Sequence, residues 1–468
     1  MKKITFLLGL LITSPFFAQT PCSGGTANGF PCEGYDLQSK FVLAEMGASD
    51  GNDSWGWTDP DDGTEYALVG LDNGTAFINI SDPINPIYLG KLPTHTNPSI
   101  WRDIKVYNNH AFIVSEANGH GLQVFDLTRL RNVASPPETF TEDAHLGVFG
   151  SAHNIAINED SGYAYVVGTD EANGGPLFIN IQNPLSPFMI GDYDGSGYTH
   201  DAQIIIYDGP DSDYTGKEIF FGSNANEVVI VDVTDKLNPQ LISTITYGNT
   251  SYTHQGWLTE DRNYLLVGDE IDEQDFGFNT RTIVFDVSDL DNPSFHFDYF
   301  SNIASTDHNG YVVGNTFYLA SYSGGMRVIN ISDIANQNMN EIGYFDTYPA
   351  NNNANYRGSW NVYPFFVSGN IVISGEGGFT LVKESNLGIN DNENFNFSMA
   401  PNPATENITI TSKVAPIQSI EIYSVLGQKV MDKVVPQNVT QTINISTLKT
   451  GMYLVTINKN TTLRLVVN

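Results

Sequence analysis

Ile230-Val231-Asp232-Val233 is the stretch from which the fold reading starts. Two apolar residues, a short acid or amide and a further apolar residue recur in the same order along the chain. The other copies are Phe77-Ile78-Asn79-Ile80, Val124-Phe125-Asp126-Leu127, Phe178-Ile179-Asn180-Ile181, Val284-Phe285-Asp286-Val287 and Val328-Ile329-Asn330-Ile331. A degenerate seventh is Thr380-Leu381-Val382-Lys383. Copies follow one another at 44 to 54 residues, the length of a four-stranded propeller blade. No long segment has a helical period, and Gly, Asn, Asp and aromatic residues are abundant. The expectation is an all-β chain: a seven-bladed β-propeller over residues 38–385, followed by a small Ig-like β-sandwich. Lys40-Phe41-Val42-Leu43-Ala44-Glu45-Met46 resembles the fourth strands, and pairing it into the last blade would close the ring and remove an exposed edge.

Residues 1–19 read as a signal peptide, with Lys2 and Lys3 ahead of a short apolar run and Ala18 at the cleavage position. That run is too short to span a membrane, and no other stretch is expected to form a transmembrane segment. Cys22 and Cys32, the only cysteines, pair most simply with each other inside an N-terminal segment over residues 20–37. Formal charge is −32, which repels phosphates and excludes a generic nucleic-acid or anionic-membrane binder. Residues 386–396 form a polar linker. Residues 397–468 return to alternating strands and form the second domain.

Two resemblances follow from longer matches. Trp55-Gly56-Trp57, Trp101-Arg102-Asp103-Ile104-Lys105-Val106-Tyr107, His120-Gly121-Leu122-Gln123-Val124-Phe125-Asp126-Leu127, His200-Asp201-Ala202-Gln203, His254-Gln255-Gly256-Trp257 and Trp360-Asn361-Val362-Tyr363-Pro364-Phe365-Phe366 resemble the choice-of-anchor B family, whose strands are called LVIVD repeats. That resemblance implies a propeller attached to a cell surface, with no activity specified. Pro401-Asn402-Pro403, Ile422-Tyr423-Ser424-Val425-Leu426-Gly427-Gln428-Lys429-Val430 and Gly451-Met452-Tyr453-Leu454-Val455 resemble the C-terminal sorting domain of the type IX secretion system. It implies secretion across the outer membrane to the cell surface or the extracellular space, with the type IX machinery as partner. The last strand departs from that pattern, carrying Arg464 where the family has a lysine-rich end.

A second motif sits upstream of the apolar repeats. His153-Asn154, His200-Asp201, His254-Gln255 and His308-Asn309 each open a run of β-formers. In a propeller blade, the start of the first strand, the end of the second and the start of the third share one channel mouth. That mouth collects Trp55 with Asp72; Arg102 and Asp103 with Glu116 and His120; and His153 and Asn154 with Asp170 and Glu171. It continues with His200 and Asp201 beside Asn224, then His254 and Gln255 beside Asp269, Glu270 and Arg281. His308 and Asn309 with Arg327, and Arg357 and Trp360 with Glu376, complete it. Five of the nine histidines fall on this face, as a binding site for an extracellular protein, peptide or glycan requires. The competing use of each histidine is structural, tying its blade to the next.

A divalent metal is one possible cofactor. His153, His200, His254 and His308 with Asp201, Asp269 or Glu270 suit zinc or manganese, and the acidic run Asp269–Asp275 suits calcium. No His-x-x-His spacing occurs, so the ligands would come from different blades. Asp208–Asp213 falls on the opposite face and reads as a turn. No Gly-x-Ser-x-Gly elbow, Walker loop or dinucleotide fingerprint is present. Two function classes remain: a ligand-binding module, or a metal-dependent hydrolase or lyase using the same mouth.

Overall fold

The computed structural model describes residues 19–385, 397–412, 416–424, 429–458 and 461–467. Most of the expected signal peptide and all of the expected linker lie outside the described residues. The chain is all-β and divides into two compact units, before and after residue 385.

The recurrent apolar motif is the third strand of each sheet, and its Asp or Asn has one local job. Asn79, Asp126, Asn180, Asp232, Asp286 and Asn330 each accept, through Oδ1, the backbone N–H two residues on, at 2.9 to 3.1 Å. In five of the six sheets the strand stops at this Asx-turn and the outward connection starts; the strand through Asn330 runs on to Asp333. The apolar residue after each one is buried, and its N–H bonds back to the turn joining the first two strands. Lys383 occupies this place in the seventh copy, where the strand runs on to Glu384 instead.

Among the described residues of the first unit, seven sheets, each with four antiparallel strands, follow one another along the chain. Successive side chains of a strand point to opposite faces, and here both faces are covered. Val229 and Val231 join a core shared with the preceding sheet, while Val228 and Ile230 join one shared with the next. Seven such cores exist between neighbouring sheets among the described residues. One of them packs Ala67, Val69 and Ile78 of the first sheet against Val372, Phe379 and Leu381 of the last. The ring is therefore closed, with the first strands of all seven sheets around its axis.

Closure itself is a strand pairing. Tyr35–Phe41 runs antiparallel to Gly378–Glu384 and completes the seventh sheet. The strand lies five residues N-terminal of the expected Lys40–Met46 and shares Lys40 and Phe41 with it. Leu43–Met46 instead forms a 3-10 turn, with Val42 N–H held by the Glu45 carboxylate at 2.8 Å. Just upstream, Cys22 and Cys32 form the expected disulfide. Phe30–Glu33 then adds to the edge of the sixth sheet beside Asn338–Phe345.

The second unit has a three-stranded and a four-stranded antiparallel sheet. Ile408, Ile410 and Ile443 of the first pack with Ile420, Ile422, Val455 and Leu465 of the second in a single core.

Deleting residues 19–41 removes Tyr35 and Leu37 from the core and unpairs the seventh sheet. At about 1.5–3 kcal/mol per large apolar side chain, the loss is expected to exceed ~3 kcal/mol. A chain ending at residue 385 should melt as one cooperative unit, and the same chain lacking residues 19–41 at a markedly lower temperature. Equal melting temperatures by circular dichroism would refute closure by this strand.

Candidate functional site

The inner strands run side by side around the axis, so equivalent residues near their starts meet at one end. His153 and His200 stand immediately before Asn154–Asn158 and Asp201–Ile206, each with its backbone N–H bonded to the second strand. His308 holds the same place ahead of Gly310–Val313. His254 lies inside Thr253–Leu258 at a β-bulge, as does Trp360 in Ser359–Tyr363. A bulge adds an unpaired residue and re-aims its side chain, here toward the axis.

The four imidazoles form one continuous arc. Ring centroids are 4.0 Å apart for His153 and His200, 4.2 Å for His200 and His254, and 4.2 Å for His254 and His308. Trp360 and Tyr322 follow, with rings 4.9 and 4.8 Å from His308. Three Nδ1–H groups are committed: His153 to Glu116 at 2.6 Å, His200 to the His254 carbonyl at 3.1 Å, and His308 to the Trp360 carbonyl at 2.6 Å. Neither ring nitrogen of His254 has a hydrogen-bond partner among the described residues, although the residue is 1% exposed. Burial and the neighbouring imidazoles hold His200 and His254 well below the usual histidine range. His308 is held at about 3, chiefly by burial. These three rings are neutral at neutral pH.

Glu270 closes the arc. Its Oε1 accepts the Tyr322 hydroxyl at 2.7 Å and lies 3.7 Å from His308 Nε2, while Oε2 lies 3.9 Å from His254 Nε2. Burial pushes its carboxyl up to about 7. Above the arc opens a cavity of about 620 Å³ lined by His153, His200, His308, Glu270, Tyr322 and Trp360, with Asp50, Trp101, Tyr356, Arg357 and Glu376 at its rim. Arg357 and Glu376 are ion-paired, Nε to Oε2 at 2.7 Å.

Other residues expected at the mouth lie elsewhere. Asn154 and Asn309 border a small space under the arc. Asp103 and Asp201 sit deeper, around Lys105, whose ammonium pairs with Asp103 at 2.6 Å. Asp53, absent from the expected set, joins them and accepts from the amides of Asn309 and Asn361. Gln255 and Asp103 are inter-sheet ties, accepting from Gly310 N–H at 2.6 Å and Ile155 N–H at 2.9 Å.

Arg102 and His120 are also not at the rim. Their side chains bond each other at 3.0 Å in a fully buried pair, and Arg102 Nε donates to the Leu71 carbonyl. Asp269 accepts from Ser251 N–H, Tyr252 N–H and the Tyr247 hydroxyl, so it is spent on its own sheet. Arg281 is held by Asp272 and Asp298. Arg327 lies in a separate cavity beside Tyr344 and Asp346. Asp72, Asp170 and Asn224 bond loop backbone. The acidic run folds in part as a short helix over Asp272–Phe276, with Asp272 and Glu273 buried.

Trp55 belongs to the far end of the axis. With Trp257, Tyr363 and Phe365 it lines an aromatic cavity of about 490 Å³ above Lys105. Tyr322, Trp101 and Tyr356 were not among the expected residues. Tyr322 follows the end of a second strand, so the rule that located the mouth applied there to aromatic residues as well.

The matches to known proteins concern the two units separately. Residues 398–468 match the secretion system C-terminal sorting domain, which marks the chain for export across the outer membrane by the type IX route, to the cell surface or the extracellular space. No curated protein matches the chain. Among solved structures, a protein from Lactobacillus plantarum is 10% identical, covering 84% of this chain and 99% of its own, with a TM-score of 0.46. Hydrazine synthase from Kuenenia stuttgartiensis is 12% identical over 75% of this chain and 98% of its own, with a TM-score of 0.49. The β-propeller domain of Myceliophteria thermophila Cps50 (Swd1) is 10% identical over 68% of this chain and 93% of its own, with a TM-score of 0.44.

Burial pushes the Asp201 carboxyl up to about 7, with Lys105 opposing and Asp103 adding to the rise. Its unfolded value is near 3.9. The native state therefore keeps this proton while the unfolded state releases it, and stability is lost as pH rises from about 4 to about 7. Asp201→Asn abolishes this dependence. The melting temperature of the variant relative to the natural chain should climb between pH 4 and 7 and level off above. A difference constant across that range would show that Asp201 is ionised in the folded protein.

Proposed function

We propose that the chain is a surface-displayed, seven-bladed β-propeller of the choice-of-anchor B type whose histidine mouth binds an extracellular ligand. The closed succession of seven sheets and the Asx-turn in six of their third strands support that assignment. The second unit, two sheets over one core, is read as an Ig-like sandwich that carries the sorting signal.

The observation that carries the binding role is the convergence of four histidines, from four sheets, in one arc, three of which (His153, His200 and His308) line a single cavity. His153, His200 and His308 each tie a neighbouring sheet through Nδ1 alone, beside the ties made by Gln255, Asp103 and Asn309, and their rings still line the cavity. The rim favours a glycan. Trp101 and Tyr356 are 40% and 49% exposed and offer flat ring faces, while Asp50, Glu376 and Arg357 offer charged hydrogen-bonding groups for hydroxyls.

Glycan arrays probed with the purified chain test this. Trp101→Ala combined with Tyr356→Ala removes two exposed rings and should lower binding of any hit at least about tenfold, with melting unchanged. An array with no hit, or hits that survive the double substitution, would remove the glycan-binding role.

A further inference from the structure

We propose that the mouth binds one divalent transition-metal ion between His254 Nε2, His308 Nε2 and Glu270. This deepens the binding role proposed above and rests on the mouth being the functional face.

Three observations converge. The first is the unpartnered imidazole of His254. A buried polar group without a hydrogen bond costs about 1–3 kcal/mol, and His254 leaves both ring nitrogens in that state among the described residues. The chain also adds a bulge residue at this position, which turns the ring toward the axis rather than into its own sheet.

The second is the spacing of the donors. Each Glu270 oxygen faces a different imidazole, at 3.7 and 3.9 Å. Both separations are too long for a hydrogen bond. They match two ligands of one ion, because donors about 2.0–2.2 Å from a common metal lie roughly 3–4 Å apart. One donor atom from each of the three side chains lies within 4.8 Å of the other two.

The third is orientation from behind. His308 Nδ1–H is fixed on the Trp360 carbonyl at 2.6 Å, and Tyr322 donates to Glu270 at 2.7 Å. A backbone acceptor on the far nitrogen sets the tautomer that presents Nε2 as a lone pair, as in second-shell support of metal ligands. Two imidazoles and a carboxylate suit zinc, manganese or ferrous iron and not calcium, which takes oxygen ligands. Glu270 and His308 line the cavity, so an ion held there keeps a position open to solvent or to a polar group of the ligand. Among the described residues the other compact set of potential ligands, Asp211, Asp289 and Asp291, is largely exposed and lies away from the mouth, which makes it a control.

The test uses the full chain, stripped with a chelator and titrated with Co2+ for its visible absorption bands, then reloaded with Zn2+ for elemental analysis. One ion per chain is expected. His254→Ala, His308→Ala and Glu270→Gln should each weaken it at least about tenfold, while Asp289→Asn with Asp291→Asn leaves it unchanged. Glu270→Gln preserves shape, so undiminished affinity in this variant overturns the site even if a histidine variant fails to fold. Substoichiometric metal in the natural chain overturns it as well. Glycan-array hits that persist in the stripped chain would show that glycan recognition needs no metal. One ion per chain on an array without hits would sink the glycan role and leave the metal site standing.

Discussion

Each sheet of the N-terminal unit is buried on both faces, so its stability depends on two neighbours. Val229 and Val231 face one core and Val228 and Ile230 the other, and the same alternation holds in Tyr66–Val69 of the first sheet. A row of such sheets has no stable end, and the Tyr35–Phe41 strand removes it by joining both ends of the unit in the seventh sheet. The mouth is a consequence of that closure. Once the inner strands stand side by side in a ring, residues roughly fifty apart in sequence become neighbours, and four imidazoles meet at 4.0 to 4.2 Å.

The same geometry requires a polar axis below the mouth. Asp53, Asp103 and Asp201 surround Lys105, and burial raises the Asp53 and Asp201 carboxyls. One buried ammonium cannot balance three carboxylates in a medium of low dielectric, so part of the set remains protonated. The amides of Asn309 and Asn361 bring the sixth and seventh sheets to Asp53 of the first, and Tyr311 donates to Asn361 at 2.9 Å. Such bonds run between sheets rather than within them. They fix the stagger of neighbouring inner strands, which apolar packing leaves loosely specified, and thereby the alignment of the histidine arc.

The repeats were legible because two physical rules coincide in one short motif. Burial on both faces demands consecutive apolar residues, and the exit turn demands Asp or Asn as its acceptor. The histidines were legible because the same residue type, followed by Asn, Asp or Gln, opens a run of β-formers 22 to 32 residues ahead of the Asp or Asn in four of those motifs. The side-chain partners of the other polar residues were not. Arg102 and His120 look like rim residues until they are seen to bond each other out of solvent, and Asp269 until three donors from residues 247–252 are placed on it. Trp55 was misplaced because the first sheet begins at Gly51 with a bulge, which puts the tryptophan well inside the strand. The closing strand was set too late for a related reason: Lys40–Met46 has strand composition, but Gly47 in a left-handed conformation ends a 3-10 turn there.

Export places a further demand on this topology. Lys40 and Thr380, bonded across the closing pair, are 340 residues apart, so the last pairing carries a high loop-closure cost and waits for nearly the whole unit. The chain lowers that cost locally. Cys22 and Cys32 close a small loop, and Phe30–Glu33 docks on the sixth sheet next to where the seventh will form. From that anchor the closing strand begins at Tyr35, after a turn through Gly34 with positive φ. An oxidising compartment therefore favours ring closure as well as stabilising the N-terminal segment. The sorting domain follows residue 385 with its own isoleucine-rich core, so the signal read by the export machinery does not depend on completion of the ring.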